Sequence, residues 1–84
     1  MHEYSLVQAL LERVQAEARQ RGATKVERIT VRIGDFAGVE RALFATAFEA
    51  FKAGGICAEA ALEIAAVEGD DLILDRIQME VPDV

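Results

Sequence analysis

Between Lys25 and Ile33 the chain alternates: Ile29, Val31 and Ile33 point one way, and Arg28, Thr30 and Arg32 point the other. A period of two over this length describes a strand with one apolar face and one polar face. That strand constrains everything around it. Its apolar side has to be covered and its polar side left open to water, so the sheet it joins carries its second layer on one face.

The flanking segments supply that layer. Residues 5–20 predict a helix. Ser5-Leu6-Val7-Gln8 fits a capping box, with Ser5 as cap and Gln8 reaching back. Val7, Leu10, Leu11, Val14 and Ala18 recur at helical spacing, Glu12, Arg13, Glu17, Arg19 and Gln20 fall outside, and Gly22 is a natural stop. Gly34-Asp35-Phe36-Ala37-Gly38 reads as a loop. Residues 40–53 predict a second helix with Leu43, Phe44, Ala47, Phe48 and Phe51 on its buried face, ended by Gly54-Gly55.

Ala61–Val67 then reads as a strand with Leu62 and Ile64 on one face, followed by turn chemistry at Glu68-Gly69-Asp70-Asp71. Leu72–Val81 reads as the last strand, with Ile73, Ile77, Met79 and Val81 on one face, Arg76, Gln78 and Glu80 on the other, and Pro82 closing it. The expectation is an α+β fold of order α-β-α-β-β, two helices packed on one face of a three-stranded sheet. The β-α-β passage predicts a right-handed crossover and the last two strands predict a hairpin. Phe44, Phe48, Phe51, Ile29, Val31, Ile77 and Met79 are the expected core.

Eighty-four residues make one domain, which buries roughly 60–65% of its unfolded surface. A net charge of −6 argues against a general nucleic-acid role. No apolar run approaches the length of a membrane span, and the start of the chain lacks the pattern of a signal peptide. The single cysteine, Cys57, excludes an internal disulfide and a thiolate metal cluster, so the cytoplasm is the expected compartment.

Enzymatic constellations are missing. Ser5 has no partner beyond its cap, and the one histidine sits at the start of the chain. Asp70-Asp71 beside Gly69 reads as turn chemistry, Gly34 and Gly38 do not form a phosphate loop, and Cys57 reads as a small core hydrophobe. The chain is expected not to be an enzyme.

Met1-His2-Glu3 is different. An α-amine, a peptide nitrogen and an imidazole stand together, and the amine of Met1, the amide nitrogen of His2 and its ring nitrogen can form fused chelate rings. The amide nitrogen of Glu3 can supply a fourth donor. Square-planar nitrogen coordination suits Ni(II) or Cu(II) rather than Zn(II) or Mg(II). A large residue at position 2 is expected to keep Met1 in place.

The stretch from Met1 to Leu11 also resembles the opening of the HypA family, nickel metallochaperones of NiFe-hydrogenase maturation. The likeness continues through Arg32-Ile33-Gly34-Asp35-Phe36-Ala37-Gly38-Val39-Glu40, Ala47-Phe48-Glu49, Gly55-Ile56-Cys57, Ala61-Leu62-Glu63-Ile64 and the closing strand to Glu80. It implies Ni(II) ligation by Met1, His2 and Glu3, and delivery to a hydrogenase large-subunit precursor together with a HypB-type GTPase. Two departures stand out. The family's zinc-binding insertion, with two Cys-x-x-Cys pairs, has no counterpart at about residues 66–70, so the expectation is one nickel-binding domain over 1–84 with no zinc. Arg41 stands where relatives often have proline. The alternative is a metal-free interaction module of the same fold, docking a maturation GTPase or precursor through the first helix or a sheet edge. A monomer is expected, with a strand-swapped dimer as the minority form, and neither nucleic acid nor membrane as partner.

Overall fold

The computed structural model describes residues 2–83. Its elements are α1 His2–Gln20, β1 Lys25–Gly34, α2 Arg41–Phe51, β2 Ala61–Val67 and β3 Leu72–Glu80. The sheet order is β2-β1-β3. β2 lies parallel to β1, as a β-α-β passage requires, and β3 lies antiparallel to it. The apolar stripe of α1 (Val7, Leu10, Leu11, Val14, Ala18) meets Val26, Ile29, Val31 and Ile33 of β1 and Phe44, Ala47 and Phe48 of α2 in one core. Arg28 and Arg32 remain exposed on the far side of the sheet. The expected one-sided architecture is therefore the observed one.

The expected hairpin is not formed. β2 and β3 do not touch as neighbours; each pairs with β1. Residues 68–71 instead cross the end of β1 from one edge of the sheet to the other. Three backbone bonds fix the crossing: Gly34 N–H to the Asp71 carbonyl at 2.8 Å, Asp35 N–H to Val67 at 2.8 Å and Phe36 N–H to Gly69 at 2.8 Å. The reason lies in β1. Its inward side chains are all fully buried, while Leu62, Ile64, Ile77 and Met79 are only partly so. The strand with the most surface to hide takes the centre.

Three local expectations also need correction. α1 begins at His2, so Ser5 lies inside the helix and is not its cap. In α2, Leu43 and Phe51 are each 39% exposed; Phe51 instead sets its ring edge-on to Tyr4 of α1, centroids 5.6 Å apart. In β3 the apolar phase changes. The register passes from Thr30↔Arg76 to Val31↔Leu74, which leaves Asp75 as an extra residue. Leu72 and Leu74 thus join Ile77 and Met79 against the core, and Ile73 turns out to solvent at 40% exposure. Val81 lies beyond the strand and is half exposed. A second slip, at Glu27 in β1, explains why Val26 and Ile29 both point inward although three residues apart.

The crossing makes Gly34 indispensable. A Cβ there would overlap the Gly69 carbonyl and come within 2.9 Å of Asp70 N. Both obstacles are backbone and cannot swing aside. Gly69 itself has φ +106°, a conformation that side chains disfavour. Gly34→Ala is expected to destabilise the fold by roughly 2 kcal/mol or more, read as a lower urea midpoint with an unchanged m-value.

Candidate metal centre at the start of the first helix

His2 and Glu3 form the first turn of α1, while Met1 lies outside the described residues. Within that turn the two side chains part company. His2 is 53% exposed at its ring, whereas the Glu3 side chain is 8% exposed. Glu3 is the buried charged residue of the described chain, and a buried carboxylate needs partners.

Its partner comes from α2. Glu3 Oε2 accepts a hydrogen bond from the Glu40 N–H at 3.0 Å. Glu40 is the N-cap of α2 and makes no side-chain cap bond of its own. In a capping box the third residue of a helix reaches back to the N-cap amide. Here that residue is Leu43, which has no acceptor. Glu3 supplies the missing carboxylate from another helix, and its negative charge also suits the positive end of the α2 dipole. The Glu40 N–H bond, then a bond from Glu3's own backbone N–H, hold the Glu3 carboxyl below the ordinary carboxylate range; burial opposes them.

The chemistry this end can perform follows from the helix. The N–H groups of a first helical turn have no carbonyl partner within the helix, so chelation at these nitrogens breaks no helical hydrogen bond. The His2 ring is poised at the surface, its Nδ1 3.9 Å from Glu3 Oε1. Among the described residues no three His, Cys, Asp or Glu side chains converge as a metal site.

Other features fall away from this centre. Cys57 is fully buried and its thiol is pushed up by burial, in keeping with a core role. Asp70-Asp71 serve the crossing, through the Asp71 carbonyl. A groove of about 490 Å³ lies between α1 and β3, lined by Arg13, Glu17, Leu74 and Arg76, and includes neither His2 nor Glu3. The contact between Glu3 and Glu40 was not anticipated from sequence, although the absence of an acceptor at position 43 was a visible signal that α2 lacked its own capping box.

Glu3 carries a prediction. Its folded pKa is lowered, so the charged carboxylate stabilises the fold at pH above the unfolded value, and this contribution disappears as pH falls through the lowered folded value. Glu3→Gln is expected to lower Tm at pH 7, and the gap to the parent should close as both proteins are taken to acid. Equal Tm at neutral pH would show that the bond to Glu40 contributes nothing.

Comparison with known proteins now bears on this geometry. The hydrogenase maturation factor HypA of Shewanella oneidensis is 53% identical over 62 residues, covering 74% of this chain and 52% of that protein. The chain thus spans about half the length of the Shewanella relatives it matches. The hydrogenase/urease maturation factor HypA of Helicobacter pylori is 32% identical over 84 residues, 99% of this chain and 65% of that protein. The solution structure of the Ni metallochaperone HypA from the same organism superposes with a TM-score of 0.84 at 24% identity, covering 98% of this chain and 100% of that one, which extends the agreement to the fold. A family model described as hydrogenase/urease nickel incorporation, metallochaperone, matches residues 1–72, from the N-terminal triplet through β2 and across the connection over β1, and with it the chain belongs to the HypA family.

Proposed function

We propose that this chain is a nickel-binding metallochaperone that supplies Ni(II) for NiFe-hydrogenase maturation and is not an enzyme. The observation that carries this is the family match beginning at residue 1, over a triplet whose His2 ring is exposed at a helix start. Met1 gives its amine, His2 its ring and amide nitrogens, and Glu3 its amide nitrogen. The unit is one nickel-binding domain over residues 1–84, without the zinc site of longer relatives, and it works in the cytoplasm. A HypB-type GTPase and a hydrogenase large-subunit precursor are the partners the family suggests. Among the described residues no helix is long and apolar enough to cross a membrane.

Ligation by amide nitrogens has a cost in protons. The amine, the ring and two amides must all be deprotonated to bind the metal. The Glu3 carboxylate then loses its own N–H as a donor and keeps the Glu40 bond, so the tether between the helices outlasts loading.

His2→Ala is expected to weaken Ni(II) binding by about a hundredfold or more, beyond the usual effect of losing an outer-shell partner. Stability should stay within about ±0.5 kcal/mol, as for other surface changes. Calorimetric titration on protein with a free Met1 amine reads both the affinity and its decline as pH falls. An unchanged affinity in the variant would remove the nickel assignment and leave the metal-free docking module as the reading. Because the core is closed by side chains alone, the helical circular dichroism should be the same with and without a strong chelator; its loss on chelation would overturn the zinc-free domain.

A further inference from the structure

Phe36 is 83% exposed, and no other large apolar side chain of the described residues exceeds 50%. A ring left in water forgoes the burial that drives folding, yet the backbone beneath this one is firmly held. The Phe36 N–H donates to the Gly69 carbonyl and the Asp35 N–H to the Val67 carbonyl, each at 2.8 Å, and the Ala37 N–H closes a turn on the Gly34 carbonyl at 3.1 Å. The ring thus stands on a fixed stem. An aromatic side chain presented in this way loses little freedom when a partner covers it, and such residues anchor protein interfaces.

The surroundings say what the partner carries. Residues 34–40 and 67–71, the two segments bound together beneath the ring, contain Asp35, Glu40, Glu68, Asp70 and Asp71 and no lysine or arginine. Asp35, Glu68, Asp70 and Asp71 are exposed, and within the described residues their side chains make no hydrogen bond or ion pair. The nearest bases in sequence do not cancel them. Arg41 lies beyond Glu40 at the head of α2, and Arg32 is turned to Asp75 at 3.7 Å. A surface of this sign repels nucleic acid and anionic lipid, and no three of the described carboxylates converge to hold a metal ion. An apolar ring among unpartnered carboxylates is complementary to a protein surface with an apolar pocket and a basic rim.

We propose that Phe36 and the carboxylates around it are the docking surface for the protein that takes the metal from this chain, and that this recipient offers an apolar pocket rimmed by lysine and arginine. The choice of a recipient rests on the nickel-carrying role proposed above, and position supplies the reason. Phe36 and Glu40 belong to one connection between β1 and α2, and the Glu40 N–H is bound by Glu3 Oε2 in the first turn of α1, beside His2. A partner seated on Phe36 therefore sits at the same end of the molecule as the exposed His2 ring.

The test titrates the chain with the cognate hydrogenase large-subunit precursor, read by calorimetry at low and at high salt. The parent should bind, and more weakly as salt rises. Phe36→Ser should weaken binding by about thirtyfold, the effect of an interface anchor. Asp35→Lys combined with Asp70→Lys should weaken it by about tenfold or more and remove the salt dependence. Both variants should keep the circular dichroism and the Ni(II) affinity of the parent, since neither alters the core or the residues of the proposed chelate. A chain that binds Ni(II) but not the precursor at about 1 mM, or a Phe36→Ser variant that binds the precursor as the parent does, would overturn the docking surface while leaving the nickel reading in place. A chain that binds the precursor through Phe36 but takes up no Ni(II) would keep the surface and remove the carrier role. Phe36-dependent self-association, or Phe36-dependent binding of the HypB-type GTPase in place of the precursor, would overturn the recipient as occupant.

Discussion

The tightest constraint in this molecule is a contact between two backbones. Residues 68–71 pass over the end of β1 so closely that the Gly69 carbonyl lies against the α-carbon of Gly34. This crossing permits β1 to sit between β2 and β3, since it carries the chain from one edge to the other in four residues. It also sets the path that follows β1. Phe36 is bound through its N–H to Gly69 and left 83% exposed, and the chain then runs to Glu40 at the head of α2. Strand order, loop path and helix start are consequences of one close approach.

The second joint of the structure is the Glu3 carboxylate. It fixes the beginning of α1 to the beginning of α2 by supplying the acceptor that α2 lacks. His2 and Glu3, two residues of the proposed metal chemistry, are thereby built on a helix tied to its neighbour, and rigid support is what a defined ligand geometry needs. Glu3 has two separable roles in this reading: its carboxylate holds the helices together, and its amide nitrogen is the candidate ligand. His2, with no comparable anchor, is left at the surface.

Much of this was legible in the residues. The stripe of α1, the inward set Ile29, Val31 and Ile33, the bounds of β2 and the buried pair Phe44 and Phe48 follow from periodicity, because burial on one face imposes it. The phase of β3 did not follow, because the extra residue at Asp75 shifts the alternation and nothing in Leu-Ile-Leu-Asp-Arg marks which leucine turns inward. The hairpin expectation failed for a different reason. Adjacency in sequence favours pairing, but burial favoured β1 at the centre; the clue was Gly34 at a strand end, where a missing side chain signals close approach of another backbone. Of the candidate site, the triplet stands out in the sequence as a proposal, and the contact that anchors Glu3 does not. Glu3 and Glu40 are 37 positions apart, and no local pattern joins them.

The location of His2 and Glu3 bears on how the charges of the chain are distributed. The heads of α1 and α2, the loop after β1 and the crossing at residues 68–71 all gather at the carboxyl end of the parallel pair β1 and β2, the end where α/β units place their ligands. Two helix starts there would repel a bare cation, since each presents the positive end of its dipole. The opposing terms are local. Glu3, Asp35, Glu40, Glu68, Asp70 and Asp71 belong to these same segments, and a carboxylate-rich end attracts divalent ions at a distance. Close in, chelation itself reverses the sign: a peptide nitrogen that gives up its proton becomes an anion where an N–H dipole stood. In the proposed chelate, a cation that cannot drive that deprotonation would meet the dipoles unaltered, whereas Ni(II) in a square of nitrogens would convert them into ligands. Under that proposal, selectivity at this end would rest on the metal's capacity to displace amide protons, rather than on the acidic residues nearby.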